Sequence, residues 1–425
     1  MAANKDRASL FLAKYLAGLD ESELEKRLAA KPDLPYPRLP RNHKLTDEAV
    51  QARWDVLDID EAAQQQLLDP QTKAQMQVYK RNIENFIGTI KLPIGLAGPL
   101  RVNGLFAQGD YKIPLATSEA ALVASYNRGA QLITKAGGCT AILLNEGVSR
   151  APGFAFNNVH DAGRFAMWAV SNQEKFTDVA EQTTAHGKLV DMRITVEGNH
   201  VYLIFEYSTG DASGQNMVTI ATDSVVAYII ENTPIKPEYH FVEANLSGDK
   251  KASAQSFLSV RGKKVTTEVH LSKELIKKML HTTPEKMVDY WRMSAIGGVL
   301  SGTIGVQGHY ANGLAALYIA CGQDAACVAE SAIGVTRFEV NNDGGLYAAV
   351  TMPNLIVGTV GGGTGLPSQR ACLDIMGLAG AGHAQAFAEV TASVALAGEL
   401  SIIGALAAGH FTRAHKNLAR TPNKA

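Results

Sequence analysis

The feature that most constrains the fold is a long run of small residues near the end of the chain. Residues 384–410, AQAFAEVTASVALAGELSIIGALAAGH, are dense in alanine, glycine and serine. Residues 294–306 and 311–334 share this composition and a helical pattern. Helices with such small side chains pack closely against their neighbours, so the sequence predicts a buried central helix surrounded by other elements.

The composition is that of a globular protein with enough residues for two or three domains. Of its 425 residues, 46% are hydrophobic and 19% are charged, and the formal net charge is −1. This charge does not favour nucleic-acid binding, and an anionic ligand would have to be held by local cations. No run of 18 apolar residues indicates a membrane span, and the N-terminus lacks a signal-peptide pattern. We therefore expect a cytoplasmic protein with no membrane partner.

The cysteines give no sign of a metal centre. The four cysteines, Cys139, Cys321, Cys327 and Cys372, stand in apolar runs without CxxC spacing or clustered histidines. The sequence therefore predicts buried free thiols in a reducing compartment, and no metal.

Three regions with different patterns follow one another along the chain. Residues 1–80 carry helical patterns on both sides of a proline-rich connection, PDLPYPRLPRNH, which predicts a helical N-terminal lead-in. Residues 152–241 combine amphipathic helices with period-2 strands such as KLVDMRITV, typical of a small α+β unit of ferredoxin-like size. Residues 81–151 and 242–425 would form one large mixed helical and β domain. We predict an α+β fold in which the small domain is inserted into the large one.

Four polar residues, far apart in the sequence, supply the groups needed to reduce a thioester. They are Glu119 in LATSEAALVAS, Lys250 in SGDKK, Asp324 in LYIACGQDAACV and His415 in ALAAGHFTRAH. An ammonium stabilises a developing oxyanion, carboxylic acids manage protons, and an imidazolium protonates a leaving thiolate. Each residue has a structural alternative when taken alone, since paired lysines are commonly solvated and an acid suits the first turn of a helix.

Longer motifs surround these residues and run in order from about residue 80 to 420. They are ENFIGTIKLPIGLAGPL at 84–100, TSEAALVASYNRGA at 117–130, GDASGQNM at 210–217, SGDKK at 247–251, GHYANGLAALYIACGQDAA at 308–326, MPNLIVGTVGGGT at 352–364 and GELSIIGALAAGH at 398–410. Together they resemble the 3-hydroxy-3-methylglutaryl-CoA (HMG-CoA) reductase family. The resemblance implies the two-step, four-electron reduction of HMG-CoA to mevalonate and CoA with two NAD(P)H. It also implies a small cofactor-binding domain inserted into the large one.

The resemblance assigns roles to the four polar residues. Lys250 falls on the catalytic lysine, and Glu119 falls on a catalytic glutamate whose task requires a proton near neutral pH. Asp324 falls on the aspartate between them, and we expect it to lie buried within a helix. His415, the second histidine of a GHxxxxH pattern, falls on the acid that protonates the CoA thiolate, whereas His410 is expected to be structural.

The same resemblance implies a set of substrate contacts. Positions that hold the hydroxymethylglutaryl end fall on Arg150, Asp249, Lys251, Arg292 and Asn312. Contacts to the pantetheine and phosphate of CoA fall on Asn127 and Arg128. Arg292 stands where many relatives have lysine, which keeps the charge but changes its geometry. Glu243 is excluded from the set, because an acid facing an anionic acyl group would be unfavourable.

For the nicotinamide cofactor the sequence offers glycine-rich loops and no strand–GxGxxG–helix (Rossmann) unit. GLAGAG at 377–382 follows a helical run, and we interpret its glycines as packing or turn residues. GDASGQNM resembles the family's DAMGMNM motif, which opens a helix that can face the pyrophosphate. The implied cofactor-binding residues are Asp211, Ser213, Gly214, Gln215, Asn216, Met217, Thr184, Val360, Gly361 and Arg420.

The choice between NADPH and NADH depends on the residues that would meet the 2′-phosphate. Animal-type enzymes present a Ser-Arg pair there, whereas this chain has Thr184-Ala185, with His186 and Lys188 close by. We favour NADPH, because Arg420 and Lys188 could supply positive charge.

The resemblance is closest to the animal and archaeal type of the family. The catalytic lysine lies in the DKK loop, and the chain ends ten residues after His415 without the long C-terminal flap domain of the other bacterial type. ENFIG resembles a dimer-interface motif, so we expect a homodimer or higher homo-oligomer with shared active sites. Two alternatives are a non-catalytic CoA-thioester-binding homologue and a lyase that uses Lys250 to form a Schiff base.

Overall fold

A computed structural model describes residues 5–16, 18–36, 38–40, 43–184, 186–259 and 261–410. The chain divides into two compact units, Met1–Ile90 and Lys91–Ala425. The described elements up to Tyr79 belong to the first unit, and all described strands and the later helices belong to the second.

The first unit consists of short helices, as the helical patterns of the sequence predict. They are α1 (Lys5–Leu16), α2 (Glu21–Leu28), α3 (Asp47–Trp54), α4 (Glu61–Leu67), α5 (Pro70–Ala74) and a 3-10 turn (Met76–Tyr79). Four of these helices have an N-cap side chain that accepts a backbone N–H of the first turn, which would otherwise lack a partner. The N-cap residues are Asp20, Thr46, Asp60 and Asp69. A small core forms from Leu45, Val50, Trp54 and Phe86.

Among the described residues of the second unit, ten strands form one sheet that is mostly antiparallel. They are β1 (Ile94–Gly104), β2 (Gln108–Ala116), β3 (Cys139–Arg150), β4 (Gly153–Ala155), β5 (Lys188–Glu197), β6 (His200–Ser208), β7 (Tyr239–Phe241), β8 (Gly262–Leu271), β9 (Val335–Val340) and β10 (Leu346–Leu355). The main order is β7-β4-β6-β3-β8-β10-β9, with β5 beside β6 and with β1 between β2 and β3. Among these strands only β1 and β3 pair in parallel.

Strand β3 connects the two parts of this sheet. Residues 140–147 pair with β8, and the last three residues, 148–150, pair with β6. A hydrophobic core that includes Phe165 and Phe205 lies on the β6 side, separate from the larger core of the second unit. Arg150 therefore lies where the two parts of the sheet meet. The domain boundaries at 152 and 241 stay a prediction, since residues 91–425 count as one compact unit.

Ten α-helices accompany the sheet in the described part of the second unit. They are α6 (Leu122–Lys135), α7 (Val159–Ser171), α8 (Gln173–Glu181), α9 (Gln215–Asn232), α10 (Lys273–Leu280), α11 (Pro284–Ser301), α12 (Tyr310–Ala320), α13 (Val328–Ser331), α14 (Pro367–Met376) and α15 (Ala384–Ala407). Gly377 ends α14 with φ of 70°, in agreement with the turn role predicted for GLAGAG.

Helix α15 is the buried central helix that the small-residue pattern predicts. Of its 24 residues, 20 are buried. A Cβ on Gly129 of α6 would lie 1.8 Å from the Ala397 carbonyl oxygen, so the two backbones touch and only glycine fits there. Length and composition alone would suit a membrane span, but 83% of its most apolar window is buried within the protein. Its apolar surface therefore forms the core of the second unit.

Candidate active site

The strongest link between two predicted catalytic residues is an ion pair of Lys250 and Asp324. Lys250 Nζ lies 2.9 Å from Asp324 Oδ2. The backbone of Lys250 has φ of 57°, an uncommon conformation for a residue with a side chain. The hydrogen bond that the Lys250 ammonium donates to Asp324 raises the pKa of Lys250, because it stabilises the ammonium more than burial destabilises it. The loop therefore presents a protonated lysine in a defined position.

Asp324 is neither helical nor buried, which corrects the prediction. Helix α12 ends at Ala320, and Asp324 Oδ1 accepts the Ala326 N–H at 3.0 Å as the cap of a 3-10 turn, Ala325–Cys327. Its side chain is 43% exposed in the single chain. The alanine-rich pattern continues past Ala320, but Gly322 takes φ of 67° and ends the helical path.

The Asp249 carboxylate holds the same loop, residues 247–251, by binding two arginines. It accepts hydrogen bonds from Arg150 Nη1 at 2.6 Å and from Arg261. Arg261 Nε also donates to Glu330 at 2.7 Å, and the other oxygen of Glu330 accepts the Lys250 backbone N–H at 3.2 Å. This network holds the backbone of Lys250 independently of its side-chain partner.

Neither Arg261 nor Glu330 lies in a motif that predicted a functional role. Arg261 is 2% exposed and Glu330 is fully buried. Burial raises the pKa of Glu330 and outweighs the charge of Arg261. Burial opposes ionisation of Asp249 as well, but the charges of Arg261 and Arg150 outweigh it and lower the pKa of Asp249. A lone acid in the small apolar run VAESAIG was the signal that could have found Glu330.

Two other cations predicted to hold the substrate, Arg150 and Lys251, are near this network. The Arg150 guanidinium is buried and donates to Thr219 Oγ1 at 2.9 Å, with the Glu243 carboxylate 3.6 Å away. Lys251 Nζ donates to the Asp249 carbonyl oxygen at 2.7 Å and is exposed. Lys251 is therefore the more accessible of the two cations for an anionic group.

A second group of predicted residues lines a cavity of about 540 Å³ between α6, α12 and α15. Glu119, Arg128 and Asn312 belong to this lining. Arg128 Nη2 donates to the Ser401 carbonyl oxygen at 2.8 Å, so much of its guanidinium is used within the protein. Asn127 lies outside the lining, and its Oδ1 accepts the Gly98 N–H at 3.0 Å.

The structure does not bring the two groups together within one chain. Asn312 lies in the first turn of α12, whereas Asp324 lies beyond its last residue. An 11-residue helix is about 16 Å long, so these residues are at opposite ends of it. In the part of the chain that the structure describes, no hydrogen bond or ion pair links Glu119 to Lys250 or Asp324.

Of the predicted residues that remain, Arg292 belongs to neither group. Arg292 is exposed on α11 and pairs with Asp289 at 3.5 Å. His415 and Arg420 lie outside the described residues. His410 follows α15, and its ring centroid lies 6.0 Å from that of His281.

The two glycine-rich loops predicted to bind the cofactor lie against each other. The Thr359 N–H donates to the Asp211 carbonyl oxygen at 2.9 Å, and Val360 forms a parallel bridge with Ala212. A Cβ on Gly358 would lie 2.5 Å from the backbone of the other loop, so the approach requires glycine. Residues distant in sequence therefore form one continuous surface.

The loop that carries Asp324 joins this surface. Gln323 donates to the Gly358 carbonyl oxygen at 2.9 Å and accepts the Gly358 N–H at 2.9 Å. Gln215 Nε2, in the first residue of α9, lies 2.7 Å from Cys327 Sγ in the turn that Asp324 caps. The start of α9 is therefore close to the Lys250–Asp324 pair.

The N-terminus of α9 has the features of an anion-binding helix start. Its cap residue, Gly214, has φ of 77°, and a Cβ there would lie 2.2 Å from Thr209. No side chain caps the first N–H groups, and Asn216 is exposed. Backbone N–H groups and the helix dipole at such an end favour a phosphate.

Asp211 has a structural contact that the motif did not reveal. Its carboxylate accepts the N–H groups of Gly382 at 2.7 Å and Ala384 at 3.1 Å, at the start of α15. Burial opposes ionisation, but these backbone hydrogen bonds outweigh it and lower the pKa of Asp211. The predicted cofactor loop is therefore tied to the central helix.

Thr184 lies next to the same helix start. Its hydroxyl is 3.1 Å from Met217 Sδ and accepts the N–H groups of His186 and Gly187, each at 3.2 Å. Residue 185 lies outside the described part of the chain. The segment predicted to meet the 2′-phosphate therefore lies against the first turn of α9.

The cysteines are free and buried, as predicted. Burial raises the pKa of Cys327, the thiol nearest the ion pair, well above its ordinary value. Within the described ranges, no group of three or more His, Cys, Asp or Glu side chains could hold a metal ion.

Known proteins resemble this chain over most of its length. Residues 49–420 match the family described as hydroxymethylglutaryl-coenzyme A reductase. The 3-hydroxy-3-methylglutaryl-coenzyme A reductase of Pyrococcus horikoshii is 45% identical over 348 residues, which cover 80% of this chain and 84% of that protein. The enzyme of the same name from Methanothermobacter thermautotrophicus is 42% identical over 382 residues, covering 89% and 95%.

A solved structure shares the fold. It is the class II 3-hydroxy-3-methylglutaryl-CoA reductase from Streptococcus pneumoniae bound to NADPH in open conformations. The two chains superpose with a TM-score of 0.63 at 20% sequence identity, over 81% of this chain and 95% of the other. On the extent of these matches, the chain belongs to the hydroxymethylglutaryl-coenzyme A reductase family.

Proposed function

We propose that the chain reduces HMG-CoA to mevalonate and CoA with Lys250, Asp324, Glu119 and His415 as its catalytic residues. Membership of the family makes it an oxidoreductase of the mevalonate pathway. The observation that carries the residue assignment is the position of the Lys250–Asp324 pair. It stands beside both glycine-rich loops and the start of α9.

Lys250 supplies the positive charge that the reaction requires. When a hydride adds to the thioester carbonyl, negative charge develops on the carbonyl oxygen, and a fixed ammonium stabilises it. Asp324 keeps the ammonium protonated, and Glu330 holds the backbone N–H of the same residue. The cation is therefore preorganised before substrate binds. The nicotinamide cofactor supplies the hydrides when bound.

Glu119 donates a proton, and we assign it to the active site of the partner subunit. Within one chain its cavity and the Lys250–Asp324 pair lie at opposite ends of α12, so a second copy is needed to unite them. Exposed apolar side chains on α11, such as Val299 and Leu300, provide a surface that association would cover. This arrangement implies a homodimer or a higher homo-oligomer.

His415 protonates the departing CoA thiolate. An ordinary thiol has a pKa of about 8.5, so the thiolate takes up a proton readily at neutral pH, and imidazolium is a suitable donor. Lys251, Arg150 and Asn312 bind the hydroxymethylglutaryl group, with Lys251 as the exposed cation.

NADPH is the preferred cofactor, with residues 152–241 as its binding domain. The paired glycine-rich loops support this assignment, because Gly358 lets them pack backbone to backbone into one surface, with the start of α9 beside it. Thr184 contacts Met217, and the exposed Lys188 follows in the same segment, where it would supply positive charge for a 2′-phosphate. Free, buried cysteines agree with a cytoplasmic location.

Steady-state kinetics with NADPH and NADH side by side test this assignment. We expect thioester-dependent oxidation of the cofactor, with a higher kcat/KM for NADPH. Substrate binding without turnover by folded protein would indicate the non-catalytic homologue. Trapping of a carbonyl substrate on Lys250 by borohydride would indicate the Schiff-base lyase.

A further inference from the structure

The wall of the Glu119 cavity contains a carboxylate–imidazole pair that the proposed function does not use. His309 Nδ1 lies 3.2 Å from Glu399 Oε1. The Glu399 side chain is fully buried on α15, and that of His309 is 16% exposed. His309 lines the cavity together with Glu119 and Asn312. The pair therefore lies in the wall of the cavity where we propose that the reacting part of the substrate binds.

Glu399 is held firmly by other donors. Its carboxylate accepts the N–H groups of Gly308 at 2.7 Å and His309 at 2.9 Å, and the Thr336 hydroxyl at 2.8 Å. With the contact to His309 Nδ1, the carboxylate takes part in four hydrogen bonds, which fix its orientation. The carboxylate therefore fixes the imidazole and can stabilise a positive charge on it.

The orientation of the imidazole leaves its second nitrogen available. Because Nδ1 faces Glu399, Nε2 lies on the other side of the ring. The Tyr126 ring stacks on that of His309, with centroids 5.6 Å apart and planes 20° apart. Among the residues that the structure describes, no hydrogen bond to Nε2 of His309 is formed.

Glu119 lines the same cavity as His309. Burial raises the pKa of Tyr126, and the charges of Glu399 and Glu119 raise it further. Both carboxylates are therefore near the ring on which His309 stacks. Besides His309, the titratable and charged groups of the cavity wall are Glu119 from the β2–α6 connection, Tyr126 and Arg128 from α6, and Tyr290 from α11; Glu399 from α15 binds His309, and Tyr310 follows it as the first residue of α12.

We propose that Glu399 and His309 form a relay that returns a proton to Glu119 after each turnover. The Nε2–H bond of the His309 imidazolium breaks, an O–H bond forms on the Glu119 carboxylate, and a neutral imidazole remains. A proton from solvent then restores the imidazolium, whose charge Glu399 stabilises. Reduction to an alcohol consumes protons as well as hydrides, so a donor covered by substrate must be resupplied. The inference rests on the donor role proposed for Glu119.

The test compares three variants of the full chain. His309→Gln should lower kcat by about 100-fold, the scale of general acid–base catalysis, while KM for the thioester changes little. Its kcat–pH profile should differ from that of the wild type, and its solvent isotope effect should rise. Glu399→Gln should change the profile in the same way. The matched control is His270→Gln, on β8 beside Asn341, which should leave both measurements unchanged.

A second variant of His309 separates loss of the relay from misfolding. His309→Asn can keep a hydrogen bond to Glu399 but has no group in place of Nε2, so it should lose activity while folding normally. If folded His309 variants keep the wild-type profile and isotope effect, the relay is wrong and His309 only supports α12. If Glu119→Gln is fully active, the proposed role of Glu119 is wrong, which is a separate result from failure of the relay.

Discussion

Lys250 and Asp324 meet at 2.9 Å although they come from loops more than 70 residues apart. Buried Glu330 accepts the backbone N–H of Lys250 and so holds the Lys250 loop. Gln323 accepts the N–H of Gly358 and so holds the Asp324 loop. Because each loop has its own anchor, the pair does not have to be ordered by substrate. That preorganisation makes the charge effective during hydride addition.

Replacement of Lys250 by alanine should abolish reduction without unfolding the protein. Loss of the charge that stabilises the oxyanion should cost about 3 kcal/mol or more of transition-state stabilisation. Initial rates of cofactor oxidation measure the effect. Lys251→Ala is the matched control, and it should mainly raise KM for HMG-CoA. A smaller loss in Lys250→Ala than in Lys251→Ala would move the catalytic role to Lys251.

His415→Gln should impair reduction of HMG-CoA far more than reduction of free mevaldehyde. The reason is that the free aldehyde never generates a CoA thiolate that needs a proton. Parallel assays with the two substrates separate the steps, with His410→Gln as the control. Equal losses in both assays would show that His415 acts on the cofactor or on the site as a whole.

Lys188→Ala should lower kcat/KM for NADPH and leave that for NADH unchanged. The side chain is exposed beside the segment that contacts Met217, and a 2′-phosphate there would lose an opposite charge. Lys175→Ala, an exposed lysine paired with Asp178, is the control. Ala185→Arg should shift the ratio of efficiencies further towards NADPH. A wild type that strongly prefers NADH would contradict this prediction.

Arg261→Met should destabilise the protein by about 3–5 kcal/mol, because removal of one partner leaves a buried charge uncompensated. Glu330 would lose its ion pair, and Asp249 would lose one of its two arginines. Urea unfolding at pH 7 measures the loss. A Lys273→Met control breaks only the exposed contact with Glu285 and should change stability by less than about 1 kcal/mol.

Asp249 should contribute a stability that is lost in acid. Its pKa is lower in the folded protein, so its contribution is present above the unfolded value of about 3.9 and disappears as pH falls through the lower folded pKa. Unfolding free energies between pH 6 and pH 3 should therefore decline less steeply for Asp249→Asn than for the wild type. Parallel curves would show that Asp249 carries no such coupling.

The local pattern predicted the elements of this protein well. Small residues predicted the buried helix α15, and period-2 alternation predicted β5 and β6. Asp324 was placed wrongly, because an alanine-rich run has the same local pattern inside a helix and just beyond its end. Neighbouring residues in the sequence cannot show where Gly322 will take a positive φ.

By itself the sequence determined the family, the chemical groups of the site and the existence of the central helix, since these depend on residue identity and periodicity. Only the tertiary structure decided which groups meet. It paired Lys250 with Asp324, placed Glu119 at the other end of α12, and committed Asp211 to the start of α15. Those relationships arise from packing between segments far apart in the chain, where burial and hydrogen-bond satisfaction of each group depend on neighbours that local sequence does not specify.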